Sequence, residues 1–318
     1  MSNVDTRPTE TPCHSADVRG PVVERYESRV VPLGGIRGIE VHRLLPQRVL
    51  PTVGAWCFLD KFGPQHDDMR VLPHPHIGLQ TVTWPLAGRI RHRDSLGNDV
   101  EIEPGQLNLM TSGGGISHSE LSLGDRPLLD GLQLWVALPA ADATVEPAFE
   151  RHVELPRHEA DGLRATVLMG ELAGVESPAT TYSPLLGAEL ALSGGATARL
   201  PLRSDFEHGL LLLDGAVTTV GVDLDPEALV YLGSGRDEIE LSAATDSRLL
   251  LLGGAPFTDE LVMWWNFVGR SHEEIAAARA DWERMDGQRF GIVPGHDGER
   301  VPAPELPSVR LAPRRRRR

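Results

Sequence analysis

The sequence predicts an all-β protein of two barrel-like halves followed by one helix. Three observations carry this. Short apolar runs broken by glycine and proline fill most of the chain, the same texture resumes after an acidic interval, and one helical period stands near the end. Apolar runs of about four to eight residues bounded by turn residues are the pattern of strands in a sandwich or barrel. In the first half the clearest are "VPLGGIRGIEVHRLLP", "WCFLDKFGP", "LQTVTWPLAG", "GQLNLMTSGGG" and "GLQLWVALP". Beyond the interval come "ATVLMGEL", "LLGAELALSGGATARLPL", "HGLLLLDGAVTTVGVDLD", "ALVYLGSG" and "SRLLLLGGAPF". Two halves of similar length and turn rhythm point to an internally duplicated architecture.

The expected organisation follows from these shifts of texture. Residues 1–25 are polar and aperiodic, a flexible leader; 26–145 make the first barrel and 146–270 the second; 271–286 form the helix; 287–318 are an extended, arginine-rich tail in which order fades. The helix opens on Ser271 with Glu274 three residues on, a capping box. Ile275, Ala278, Arg279 and Trp282 then recur at helical spacing, giving one apolar face to lay on a sheet.

Composition narrows the function. At 318 residues and 41% hydrophobic content the chain can bury a large core. No apolar run is long enough for a membrane helix, and the first residues lack a signal-peptide layout, so a cytoplasmic protein is expected. The formal net charge is −14 even with the five arginines Arg314–Arg318. Such a body repels phosphate backbones, which excludes nucleic acid as the main ligand and suits a protein partner better. The arginine run reads as a solvated tail. Cys13 lies in the polar leader and Cys57 in an apolar run, so reduced thiols are expected, and without a CxxC pair no cysteine-built zinc site.

Chemistry concentrates in two short motifs. In "HPHIGLQTVTW" His74 and His76 stand two apart, so on a strand both side chains point to one face while Pro75 points away. In "GGGISHSE" His118 and Glu120 repeat that spacing. The intervening segment has the turns "SLGND" and "EPGQ", enough to return one strand beside the other. Three imidazoles and a carboxylate around one centre suit a divalent first-row ion, Fe(II) first, with Zn, Ni, Mn or Cu as alternatives. Four protein ligands would leave two octahedral positions for water, dioxygen or a chelating substrate.

Other residues are ranked below these four. Gln80 shares the parity of His74 and His76 and is expected in the same cavity if no bulge intervenes. Gln133 is a candidate cavity residue, and Met110, Phe58 and Trp84 are read as core or pocket wall. His66 is a candidate for the rim, His92 is read as a solvated residue on a hairpin arm, and His208 as structural. "TSGGGIS" has no lysine and no following helix, so its glycines serve tight turns and not a phosphate.

The stretch from His74 to Trp135, with "HPHIGLQTVTW", "HRDSLGN", "PGQLNLMTSGGGISHSE" and "GLQLWVALP", resembles the pirin family of the bicupin superfamily. "YSPLL", "LLLGGAPF", "WWNFV" and "SHEEIAAARADW" resemble its carboxy-terminal half, and the resemblance covers most of residues 30–285. It implies two cupin-type, jelly-roll-like β-barrels facing one another, with metal in the first only. The family's ligand pattern falls on His74, His76, His118 and Glu120. Where many cupins and pirins place a carboxylate after the HxH pair this chain has Gln80, which cannot act as a base, so Glu120 is the candidate general base. The resemblance further implies a quercetin 2,3-dioxygenase-like activity, in which a small aromatic or flavonol-like substrate chelates the ion and dioxygen opens its ring. It also implies an alternative, since some pirins are viewed as regulators: a non-catalytic, redox-sensitive iron protein acting through protein contacts.

Overall fold

The structure is a computed structural model that describes residues 11–13, 20–33 and 39–313. The arginine run Arg314–Arg318 lies outside them. The amino-terminal strands are β1 (Thr11–Cys13), β2 (Pro21–Glu27), β3 (Arg29–Leu33) and β4 (Ile39–Leu45). Then come β5 (Trp56–His66), β6 (Arg70–His76), β7 (Leu79–Ala87), β8 (Ile90–Asp94), β9 (Asp99–Ile102), β10 (Leu107–Thr111), β11 (Ile116–Ser122), β12 (Leu128–Ala137) and β13 (Ala148–His152). The second half holds β14 (Arg157–Ala160), β15 (Leu163–Leu172), β16 (Val175–Glu176), β17 (Leu185–Leu192), β18 (Thr197–Pro201) and β19 (Glu207–Asp214). It continues through β20 (Val217–Thr219), β21 (Val222–Asp223), β22 (Ala228–Gly233), β23 (Glu238–Ala243) and β24 (Ser247–Gly254). β25 (Leu261–Trp264) and β26 (Phe267–Gly269) precede the helix α1 (His272–Glu283).

Each half is a two-sheet barrel. The first combines a seven-stranded sheet, β13-β10-β7-β12-β5-β4-β3, with the four-stranded β6-β11-β8-β9. The second combines β14-β15-β17-β24-β19-β22-β2 with β18-β23-β20-β21. Fold class and the carboxy-terminal helix are as the sequence predicts.

The large sheets meet back to back, which explains why β7, β10 and β12 are buried on both faces. In "LQTVTW" Val82 and Trp84 point outward into a core that includes Leu109, Leu132 and Leu134 and reaches Leu250 and Leu252 of the second barrel. Thr81 and Thr83 alternate with them and face the barrel interior. The seam is also hydrogen-bonded: the Trp56 indole donates to the carbonyls of Leu186 and Gly253 at 2.9 and 3.2 Å. Glu207 accepts from the Gly54 amide at 2.9 Å and from the Tyr231 hydroxyl at 2.9 Å.

Three boundaries differ from the expectation. The supposed leader contains two strands: β1 pairs with β25, and β2 adds an edge to the second barrel by pairing with β22. The alternation in "PVVERYE" is short, which is why it reads as aperiodic. The first barrel runs past residue 145, because β13 pairs with β10. The tail does not fade at Gly287: Phe290, Val293, Ala303 and Leu311 are buried, packing with Trp264, Phe267, Ile275 and Trp282. Glycine and proline there stop regular structure without preventing burial. The capping expectation holds, with the Ser271 hydroxyl accepting from the Glu274 amide at 3.2 Å, although α1 ends at Glu283. No helix among the described residues is long and apolar enough to cross a membrane.

Candidate metal centre

β6 and β11 run antiparallel with His118 directly opposite His74 and Ile116 opposite His76. Cross-strand partners share a face, so the two sequence motifs deliver their imidazoles to the same side. The rings meet inside the first barrel, with centroids 4.2 Å apart for His74 and His118, 5.1 Å for His74 and His76, and 5.1 Å for His76 and His118. All three are buried. Nδ1 of His74 lies 2.8 Å from the Leu72 carbonyl and Nδ1 of His76 lies 3.1 Å from that of Asn266. A carbonyl only accepts, so both rings carry the proton on Nδ1 and present a bare Nε2.

The Nε2 atoms of His74, His76 and His118 are buried and have no hydrogen-bond partner. Their rings offer ligand atoms within 4.8 Å of one another. Buried polar atoms are normally satisfied, because leaving one bare costs on the order of 1–3 kcal/mol. Three bare lone pairs converging at one place are the donor set a cation fits. Burial lowers the basicity of all three rings, pushing His76 down to about 3 and His74 and His118 well below the usual imidazole range. They are therefore neutral at pH 7, the form a metal requires.

Glu120 lies on the same face of β11, buried, and joins a second group of ligand atoms within 4.8 Å with His118 and His92. It thus enters through His118; the sequence reading placed all four donors at one point. The Thr83 hydroxyl reaches Oε1 of Glu120 at 3.0 Å and Oε1 of Gln133 at 3.1 Å. Gln133 therefore lies on the same side as Glu120.

The remaining assignments divide. Phe58, Trp135, Thr81, Met110 and Phe149 are successive cross-strand partners along β5, β12, β7, β10 and β13, on the face that carries Thr83. Trp135 stacks on Phe58 with centroids 4.1 Å apart and stands edge-on to His76 at 5.3 Å. Phe58 and Met110 are thus wall residues of the interior. Trp84 points the other way, its indole donating to Glu189 of the second barrel at 2.7 Å.

Gln80 also points away, contrary to the parity argument. It shares its face with Val82 and Trp84, donating to the Thr111 hydroxyl at 3.0 Å and the Thr180 carbonyl at 3.2 Å. The cause is the break between β6 and β7 at Ile77–Gly78, where Gly78 has φ +68° and a Cβ would meet the Val268 carbonyl oxygen at 2.0 Å. Counting in twos fails across such a kink.

His92 is not the solvated residue that its sequence predicts. It is buried, directly opposite Glu120 on β8, and stacks on Phe149 with centroids 4.6 Å apart. The signal was present, since "HRD" places His92 and Asp94 two apart on a strand, as in the two ligand motifs. His66 is exposed at the end of β5, its Nδ1 3.2 Å from the Arg126 carbonyl. His208 is buried in the second barrel.

Comparison with known proteins places the chain. The Pirin family model matches residues 38–136, and the Pirin C-terminal cupin domain model matches residues 187–291. A Pseudomonas aeruginosa protein provisionally named a quercetin 2,3-dioxygenase is 48% identical over 90% of this chain and 91% of its own length. Human Pirin is 31% identical over 66% of this chain and 74% of its own length. The crystal structure of quercetin 2,3-dioxygenase from Acinetobacter baumannii superposes with a TM-score of 0.86 at 40% identity, covering 90% of this chain and 96% of that one. Both halves of the molecule are thereby matched in one lineage: the chain belongs to the pirin family.

Proposed function

We propose that the protein is a metal-dependent dioxygenase of the quercetin 2,3-dioxygenase type, with His74, His76, His118 and Glu120 holding one divalent ion, Fe(II) first. The observation that carries the reading is the convergence of three bare, buried Nε2 atoms beside a buried carboxylate. The similarity to proteins named for quercetin 2,3-dioxygenase supports the substrate class, a flavonol-like molecule with adjacent hydroxyl and keto oxygens. When bound, the ion supplies Lewis acidity toward such an oxygen pair.

The chain's own residues do the rest. Glu120 accepts the substrate hydroxyl proton as general base, and Thr83 holds its Oε1 in place at 3.0 Å. Trp135, Phe58, Met110 and Phe149 give the interior an apolar wall for flat aromatic rings and exclude water. Gln133, tied to Thr83, offers an amide to a polar substituent.

The test is quercetin loss by purified, metal-loaded protein. Glu120→Gln should reduce turnover by about 100-fold or more, and His118→Ala should remove both metal and activity. Unchanged turnover in either variant refutes the site. A fully metallated wild type that consumes no flavonol or catechol-like compound refutes the dioxygenase and leaves the regulator.

A further inference from the structure

Behind His118 stands a buried chain that the four candidate ligands do not include. Nδ1 of His118 lies 3.4 Å from Nδ1 of His92, and Nε2 of His92 lies 3.2 Å from Oδ2 of Asp94. Asp94 is directly opposite His118 on β8, and His92 is directly opposite Glu120. Asp94 is itself fixed: its Oδ1 accepts from the amides of Leu96 and Asn98 at 2.9 and 3.1 Å, and its Oδ2 accepts from the Asn98 side chain at 2.8 Å. His92, His118 and Asp94 are buried, and Phe149 holds the His92 ring plane by stacking at 4.6 Å.

The direction of this chain follows from the chemistry of its end. A carboxylate only accepts, so His92 donates from Nε2, and in its neutral form keeps a bare Nδ1. That nitrogen can only accept, so His118 carries its proton on Nδ1 and turns a bare Nε2 toward His74 and His76. Both ring nitrogens of His92 are thereby used, which makes it a support for a ligand and not a ligand, although it lies within the group containing His118 and Glu120.

We infer that His92 and Asp94 are positioning residues which set the tautomer of His118 and strengthen its Nε2 as a metal donor. His74 and His76 receive the same service from backbone carbonyls; His118 alone receives it from a side-chain pair ending in a carboxylate. Such partners strengthen a ligand's basicity, and losing them weakens metal binding by about 10–100-fold. The inference rests on the metal site proposed above but not on its catalytic use.

The test uses Zn(II) as probe, with affinity from chelator competition and no reference to turnover. His92→Phe, which keeps the stack on Phe149 but cannot accept, should bind Zn(II) about 10–100-fold more weakly than wild type. His92→Gln offers an acceptor to His118 and a donor to Asp94, and should recover to within about threefold of wild type. Equal affinity in His92→Phe and wild type, or equal loss in both variants, overturns the inference. Should His92→Phe fail to fold, imidazole nitrogen NMR on the wild type decides. The proton is expected on Nε2 of His92 and Nδ1 of His118, with and without Zn(II); a proton on Nδ1 of His92 overturns it. Failure of wild type to bind any metal would instead sink the proposed function, and the metal-free NMR spectrum would still decide the tautomer.

Discussion

Thr83 has one hydroxyl proton and two acceptors within reach, Glu120 at 3.0 Å and Gln133 at 3.1 Å. A hydrogen bond to a charged group contributes about 1.5–3 kcal/mol, so the proton favours the carboxylate. Thr83→Val keeps the shape of the side chain and removes the bond. The expected outcome is a fall in kcat for flavonol loss of about 10–100-fold with KM changed less than about threefold, measured on metal-loaded protein. An equal loss of metal occupancy would assign Thr83 to ion binding. At this scale the sequence was legible wherever two donors sit two apart on an unbroken strand. His74 with His76 and His118 with Glu120 satisfy that condition. Gln80 does not, because Gly78 turns the backbone between it and the histidines. His92 does satisfy it with Asp94, but the arginines on either side of it read as a solvated arm. Those arginines alternate to the outer face, where Arg91 and Arg93 both bond Asp99.

Among the elements, the segment after α1 departs furthest from its sequence. Phe290 is 3% exposed and lies between Phe267 and Trp282, with ring centroids 6.0 and 5.7 Å away. The Trp282 indole donates to the Val301 carbonyl at 2.9 Å, and Arg289 binds the Gly114 carbonyl at 2.8 Å. Ser117, next to His118, donates to the Phe290 carbonyl at 3.0 Å, so the segment braces the outer side of β11. Phe290→Ala should lower the free energy of unfolding by about 3–5 kcal/mol in urea titrations. A loose tail would show no change. This segment lacks periodicity because it follows the surface it covers and has no regular hydrogen bonding of its own. Periodicity is what a sequence reading detects.

Taken whole, the molecule places its two barrels on one shared core, and a buried imidazole of the second barrel makes the stability depend on pH. His208 is held at about 4, first by burial. It stays neutral in the folded state, while the unfolded chain protonates it near the ordinary value of about 6.5. Below that pH the unfolded chain binds the extra proton, so stability falls as pH drops from about 6.5 and the decline from this group levels off near 4. His208→Gln should flatten the slope by about 1 kcal/mol per pH unit between pH 6 and 4.5, read from urea midpoints of both proteins. The histidines of the metal centre titrate alike in both and cancel from the difference. An unchanged slope would show that His208 is not a buried neutral group.

The all-β class, the helix cap and the shared faces of His74 with His76 and of His118 with Glu120 were determined by sequence alone, since each depends on local periodicity and on the residue type at a given parity. Only the tertiary structure decided which way Gln80 faces, that β2 belongs to the second barrel, and that the carbonyl of Asn266 fixes His76 from 190 residues away. These depend on a kink, an edge and a distant turn meeting in space. Contacts of that kind arise from how sheets pack and leave no repeating mark along the chain.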